Sequence, residues 1–509
     1  MAAIITDDFR RNSTTFLIND IVDKNTENNP TTGFEYFIGI GKSDEWPLDA
    51  GGNDETNQNF STPLPNGSII ESKEILDNLI GAVAIPTADA YHVIPRINHT
   101  TGRKYKRWNE NDPNMFNIET VGSETYYPCY VVHSQKIYVC LDNDSNDGYT
   151  NGTYVPGISA SQPSGDSTNA NSREAVQSTD GYVWAYVADL NVSSKFNTDQ
   201  FVSISSTATG TAADATTATG GMVYGFEIVN PGSGIENGTD VGDFKLVVSD
   251  SSMQTPVEHD LTVSVTAGVV TGVVLSAGTT PANFIKGIER ATVVLDDVAG
   301  TTFTTAPVIR ALVGPALGFG YTPTKDLPSF YAGLAVNYNG DVEGELSTSL
   351  TYRQISLLRN PTRNDDDTPV PSGDGDYALD EVYNTLRRFK LTGSPDISTI
   401  SAGAVIEDTS TNLSGVHGAK AFVDYVDDAN DYIYFHQNES TLINQQDFTT
   451  GDGNASQITI GGTVYTYDAT SLVDPEYVPR TGEVIFVENR KPIQRSASQE
   501  EEIKLVIQF

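Results

Sequence analysis

Two apolar stretches near the end of the chain constrain its fold most: Val484-Ile485-Phe486-Val487, and residues 503–509, Ile-Lys-Leu-Val-Ile-Gln-Phe. Every side chain of the first is apolar, so as a strand it is expected to hide both faces from water. In the second the large apolar residues alternate, the period-2 pattern of a half-covered strand. A strand covered on both faces belongs inside a layered body. The expectation is that these C-terminal strands close a core assembled from distant parts of the chain.

At 509 residues the chain exceeds one compact core, since domains run to about 150 residues. Its 44 glycines and 24 prolines favour turns over long helices. Most of the remainder reads as short strands separated by Gly, Pro, Asn and Asp clusters, for example 34–40, 181–187 and 352–358. The fold class expected is mainly β: a discontinuous layered β-sandwich core, few short helices in loops, and two inserted all-β modules.

Composition places the boundaries. Residues 205–221 are small and polar, the signature of a linker. Val-rich strands with Gly turns follow to about 315, without tryptophan. A second simple β segment begins at 394, in which 421–426 and 432–435 flank an Asp-Asp-Ala-Asn turn as a hairpin. The expected division is 1–204, 321–393 and 473–509 as one discontinuous core, with inserted modules at 205–320 and 394–472. Insertion at surface loops costs little closure entropy.

Two helices are expected. One starts at Thr6-Asp7-Asp8, with Phe9, Phe16, Leu17 and Ile21 on its apolar side. The other runs from about 68 to 79, presenting Ile75, Leu76, Leu79 and Ile80. The only two cysteines, Cys129 and Cys140, flank a hairpin around Ser134-Gln135. Counting outward from that turn makes them a hydrogen-bonded pair, with Cα atoms about 5.5 Å apart. In a reducing cytoplasm they are expected as buried thiols.

Catalytic and ligand motifs are sparse. The six histidines, His92, His99, His133, His259, His417 and His436, are scattered without metal-helix spacing. Each reads as a structural or surface residue, and two cysteines do not make a structural zinc site. Asp142-Asn-Asp144-Ser-Asn146-Asp147-Gly148 resembles the start of a calcium loop, but its Gly is one position late and no Glu stands twelfth, so an exposed turn is the plainer reading. Asp365, Asp366 and Asp367 with Asp374 and Asp376 read as a solvated acidic loop. Among 67 acids no glycosidase pair is singled out. Tyr182, Trp184 and Tyr186 share a strand face and read as core, with Val183, Ala185 and Val187 on the other. No catalytic, cofactor-binding or metal residue is therefore assigned, and no enzymatic activity or cofactor is expected.

A formal charge of −37 argues against a nucleic-acid surface. The basic cluster Arg103-Lys-Tyr-Lys-Arg107-Trp108 reads as a local contact with an acidic neighbour. No apolar run reaches the roughly 20 residues that span a bilayer, and the N-terminus lacks a signal-peptide pattern. Synthesis in a cytoplasm is expected, with neither nucleic acid nor membrane as partner.

An ordered set of stretches resembles the baseplate wedge subunit of contractile-tailed, T-even-type bacteriophages, the dimeric β-sandwich wedge protein. It comprises Phe9-Arg10, Phe37-Ile-Gly-Ile-Gly-Lys-Ser-Asp-Glu-Trp-Pro47, Val93-Ile-Pro-Arg96, Asp180-Gly-Tyr-Val-Trp184-Ala-Tyr186 and Tyr352-Arg-Gln-Ile-Ser356 with Asn360-Pro361. It closes on Gly482-Glu-Val-Ile-Phe-Val-Glu488-Asn489-Arg490, Pro492-Ile493 and Glu501-Glu502-Ile503. No single motif is specific; the order is. The resemblance covers somewhat over half the chain and leaves 205–320 and 394–472 as additions.

It implies a virion structural protein of the tail baseplate, assembled in the host bacterial cytoplasm. Its expected partners are a second copy, as a homodimer, and other wedge subunits. The 488–492 segment then reads as a turn, with Asn489 at a turn position and Pro492 stopping the strand. Glu488 and Arg490 either pair across a layer or subunit boundary or lie in a solvated turn. The alternative is a tail-associated polysaccharide-binding or depolymerising protein, for which no regular rung repeat is present.

Overall fold

The computed structural model describes residues 5–24, 35–57, 60–110, 112–143, 163, 176–177, 182–191, 194–205, 223–239, 244–249, 257–275, 290–295, 303–315, 318–338, 350–365, 368–370, 382–408, 419–437, 457–476, 478, 480–495 and 501–509. Among the described residues strands dominate, nearly all antiparallel, and helices are few, the longest being Asp7–Lys24. The protein is mainly β. Contacts divide it into two units, each discontinuous in sequence: Met1–Thr15 with Tyr91–Gly333 and Ile507–Phe509, and Phe16–Ala90 with Leu334–Val506.

The second of these units contains a five-stranded antiparallel sheet. Its order is Val382–Asn384, Leu79–Ala84, Tyr36–Gly41, Thr351–Arg359 and Glu483–Gln494. In the 36–41 and 79–84 strands every residue is buried, so these inner strands are covered on both faces. The 484–487 tetrad is not. It lies in the edge strand, with Ile485 40 % exposed and Val484, Phe486 and Val487 half-buried. Four consecutive apolar residues carry no period, and so cannot distinguish an inner strand from an edge.

The expected turn at 488–492 is also absent. The strand runs through Pro492 to Gln494, and pairing passes from Tyr352↔Ile493 to Gln354↔Asn489, so residues 490–492 bulge opposite Arg353. A proline has no N–H to give a ladder, and an edge-strand bulge is where a sheet tolerates one. The chain's last strand, Glu501–Gln508, alternates as expected: Glu501, Ile503 and Leu505 are buried, Glu502 and Lys504 exposed.

The same unit holds a closed six-stranded barrel. Its strands follow the order Arg387–Leu391, Tyr432–His436, Lys420–Asp427, Val405–Asp408, Gln457–Ile460 and Thr463–Val473, and the last pairs back with the first. Phe389, Ile406, Val423, Ile433, Phe435 and Ile458 fill its interior. The 421–435 hairpin is formed, and Asp427 Oδ1 accepts from Ala429 N and Asn430 N to fix its turn.

In the other unit, Tyr130–His133, Lys136–Asn143, Tyr182–Asp189 and Val176–Gln177 make a four-stranded sheet. Tyr138, Tyr182, Trp184 and Tyr186 pack on one face; Val139, Leu141, Ala185 and Val187 on the other. Ser134 and Gln135 both have positive φ, 49° and 61°, as a two-residue primed hairpin turn requires. Cys129 and Cys140 are buried free thiols. Cys140 N donates to Cys129 O at 2.7 Å, but Cys129 N turns to Met115 O, so their pairing is one-sided. Residues 223–313 carry a cluster of their own around Phe244, Leu246, Val248, Leu261 and Val263.

The first helix, Asp7–Lys24, is capped by Thr6, whose Oγ1 accepts from Phe9 N at 3.2 Å. Its buried stripe is Thr14, Leu17, Ile18 and Ile21; Phe9 and Phe16 are exposed, contrary to expectation, because they fall outside that stripe. The second helix, Ile69–Asp77, is capped by Ser68, whose Oγ accepts from Glu71 N, while Glu71 Oε2 accepts from the N–H groups of Asn66 and Gly67 just before the cap. It ends before Leu79, so Leu79 and Ile80 open the next strand instead of extending the helix.

Candidate functional site

Polar groups of the second unit converge where the 36–41 strand leaves its sheet. Gly41 is required there, because a Cβ would lie 2.8 Å from the carbonyl oxygen of Asn78. Lys42 follows with φ 64° and binds Asp44 at 2.6 Å. Ser43 Oγ donates to Asp424 Oδ1 at 2.6 Å, and the other carboxylate oxygen of Asp424 meets His436 Nδ1 at 2.6 Å. Asp424 and His436 sit on neighbouring barrel strands, so this chain of bonds ties the 43–46 segment to the barrel wall.

Arg353, 7 % exposed at its side chain, forms a two-pronged pair with Glu55 and donates to the carbonyl of Ser43. Burial alone would raise the Glu55 carboxyl, but Arg353 and the N–H of Trp46 outweigh it and hold it below the usual range. Trp46 Nε1 donates to Arg490 O at 2.7 Å, and Gln354 Nε2 to Asn489 Oδ1 at 2.8 Å. Three of the stretches that carry the wedge resemblance, 37–47, 352–356 and 482–490, are therefore neighbouring strands of one sheet, joined by their own side chains.

Serine, aspartate and histidine in contact invite comparison with a hydrolytic triad, but the order is wrong. In a triad the histidine lies between serine and acid so that it can take the hydroxyl proton. Here Asp424 lies between, and the Ser43 hydroxyl points at a carboxylate. The arrangement is a brace.

Beside it opens a cleft of about 730 Å³. One wall holds Asp44, Glu45, Thr351 and Arg353; the other holds Ser398, Ser401, Tyr425 and Asp428 of the barrel segment. Among the described residues the side chains of Glu45, Thr351 and Ser401 make no hydrogen bond to protein.

The histidines remain separate from this network except for His436. His92 is buried against Ser329 at 2.9 Å, and burial pushes its pKa down to about 4. His99 stacks on Tyr105 and meets His133 edge-on, with ring centroids 5.5 and 5.9 Å away. His259 is half-buried, and His417 lies outside the described residues. Among the described residues no group of three His, Cys, Asp or Glu is placed to hold a metal ion. Residues 144–148 and Asp366, Asp367, Asp374 and Asp376 lie outside them, as does the side chain of Asp365.

The basic cluster makes the local contacts expected of it. Lys104 pairs with Glu124 at 2.9 Å and Lys106 with Glu119 at 2.8 Å, Arg103 lies over the Tyr127 ring, and Arg107 donates to the carbonyl of Phe226. Glu488 and Arg490 pair with each other at 3.0 Å along their strand. No helix among the described residues is long and apolar enough to cross a membrane.

Sequence reasoning missed the Ser43–Asp424–His436 brace. Its one visible signal was Asp424 itself, a lone acid inside the apolar strand Ala421-Phe-Val-Asp-Tyr-Val426. Comparison with protein-family models finds no matching family, and comparison with curated proteins finds no matching relative.

Proposed function

We propose that this protein is a structural subunit of a contractile phage tail baseplate wedge. It acts as a homodimer that binds other wedge subunits during tail assembly and host attachment, is made in the host cytoplasm, and has no catalytic role. The observation that carries this reading is the use made of the resemblance residues. Ser43, Trp46, Arg353, Gln354 and Asn489 are all engaged in bonds that join strands of one sheet to each other or to the segments beside it, as expected of a rigid assembly part. Obligate partners in such machines share large contacts, above about 2,000 Å².

Light scattering on the purified full-length protein tests the first requirement. A stable dimer at micromolar concentration is expected, together with co-purification of neighbouring wedge subunits when these are co-expressed. A monodisperse monomer that recruits none of them contradicts the proposal.

A further inference from the structure

We propose that the cleft between the barrel and the 43–45 segment binds a neutral oligosaccharide. Its volume of about 730 Å³ falls in the usual range of small-ligand sites, and its lining is the chemistry that recognises a polyol. Glu45 and Asp428 present carboxylates that accept from sugar hydroxyls, while Thr351, Ser398 and Ser401 contribute hydroxyl groups. Tyr425 supplies a ring for the apolar face of a pyranose, backed by Tyr434 at a centroid distance of 5.5 Å.

The cations near the cleft are already engaged. Arg353 is held by Glu55 and the Ser43 carbonyl, and Lys42 by Asp44. A phosphate or uronate would therefore meet carboxylates with no cation offered to it, which selects against anionic sugars. Glu45, Thr351 and Ser401 have no protein hydrogen bonds among the described residues, so a ligand in the cleft gains their bonds without breaking existing ones. A basic peptide would match the acids but would leave the three hydroxyls and the ring unused.

Calorimetric titration and saturation-transfer NMR on the full-length protein test this, with glucose, galactose and N-acetylglucosamine trisaccharides as probes. A galacturonic acid trisaccharide and an oligolysine peptide serve as comparators. At least one neutral trisaccharide is expected to bind, and Tyr425→Ala and Glu45→Gln each to weaken it about tenfold or more. Melting curves of both variants establish that they fold. The proposal is overturned if no neutral probe binds, if neither variant changes the affinity, or if oligolysine or the uronate occupies the cleft in preference. None of these outcomes bears on dimerisation, which light scattering reads separately.

Discussion

Ser43 Oγ donates to Asp424 Oδ1 across 2.6 Å, although 381 residues separate the two in the chain. Asp424 is almost wholly buried and also holds His436, so a single carboxylate joins the end of one strand to two strands of the barrel. Removing it leaves a largely buried histidine and a buried hydroxyl without their partner. Asp424→Ala is expected to cost about 3 kcal/mol and Ser43→Ala about 1 kcal/mol in equilibrium urea unfolding. Because they share one interaction, the double variant should cost less than the sum.

The brace depends on pH. Burial alone would lower the His436 pKa, but the Asp424 carboxylate outweighs it and raises the value above the ordinary 6.5, with Asp44 and Asp77 acting in the same direction. A raised pKa in the folded state means that the stabilisation is fully present below pH 6.5 and is lost as pH rises through the raised value. Wild type should therefore exceed His436→Gln in melting temperature by most in mild acid, with the gap closing in alkali. His92 acts with the opposite sign. Its pKa is pushed from 6.5 down to about 4, so its contribution is present above 6.5 and is lost as pH falls towards 4. That loss amounts to about 3 kcal/mol, and His92→Gln should flatten the acid limb of the stability profile.

Arg353 and Glu55 form a buried ion pair, with side chains 7 % and 4 % exposed. Glu55→Gln or Arg353→Met alone strands a charge or a donor in the interior and should cost about 3–5 kcal/mol. Replacing both with apolar residues, Arg353→Met with Glu55→Leu, should recover part of that loss. Urea unfolding of the three variants checks the ordering.

Cys129 and Cys140 are both buried, and burial pushes the Cys129 thiol well up from its ordinary range. A thiol reagent near neutral pH should label neither in the native protein and both in denaturant without prior reduction. Native labelling within minutes would contradict the packing around the 130–143 hairpin.

Local patterns carried the parts of the fold that were legible in the sequence. The turns at Ser134-Gln135 and 427–430, the helix start at Thr6, and the alternation of Tyr182, Trp184 and Tyr186 are each decided by a few adjacent residues. What failed was decided elsewhere in the chain. Whether 484–487 is an inner or an edge strand depends on what pairs beyond it. Pro492 is tolerated because the bulge opposite Arg353 asks no N–H of it. Phe9 and Phe16 were placed by apolarity, whereas the buried stripe of their helix is set by Thr14, Leu17, Ile18 and Ile21. Of the brace and the cleft only Asp424, an acid inside an apolar strand, left a mark in the sequence, because their residues come from positions 42–55, 351–354, 398–402 and 424–436.

A cryo-EM reconstruction of the parent particle is the most direct test of the assembly role. The account predicts that the five-stranded sheet and its barrel fit density in the tail baseplate, as paired copies in each wedge in contact with neighbouring subunits. Density for this fold only in the capsid or on an isolated fibre, or its absence from the particle, would contradict it.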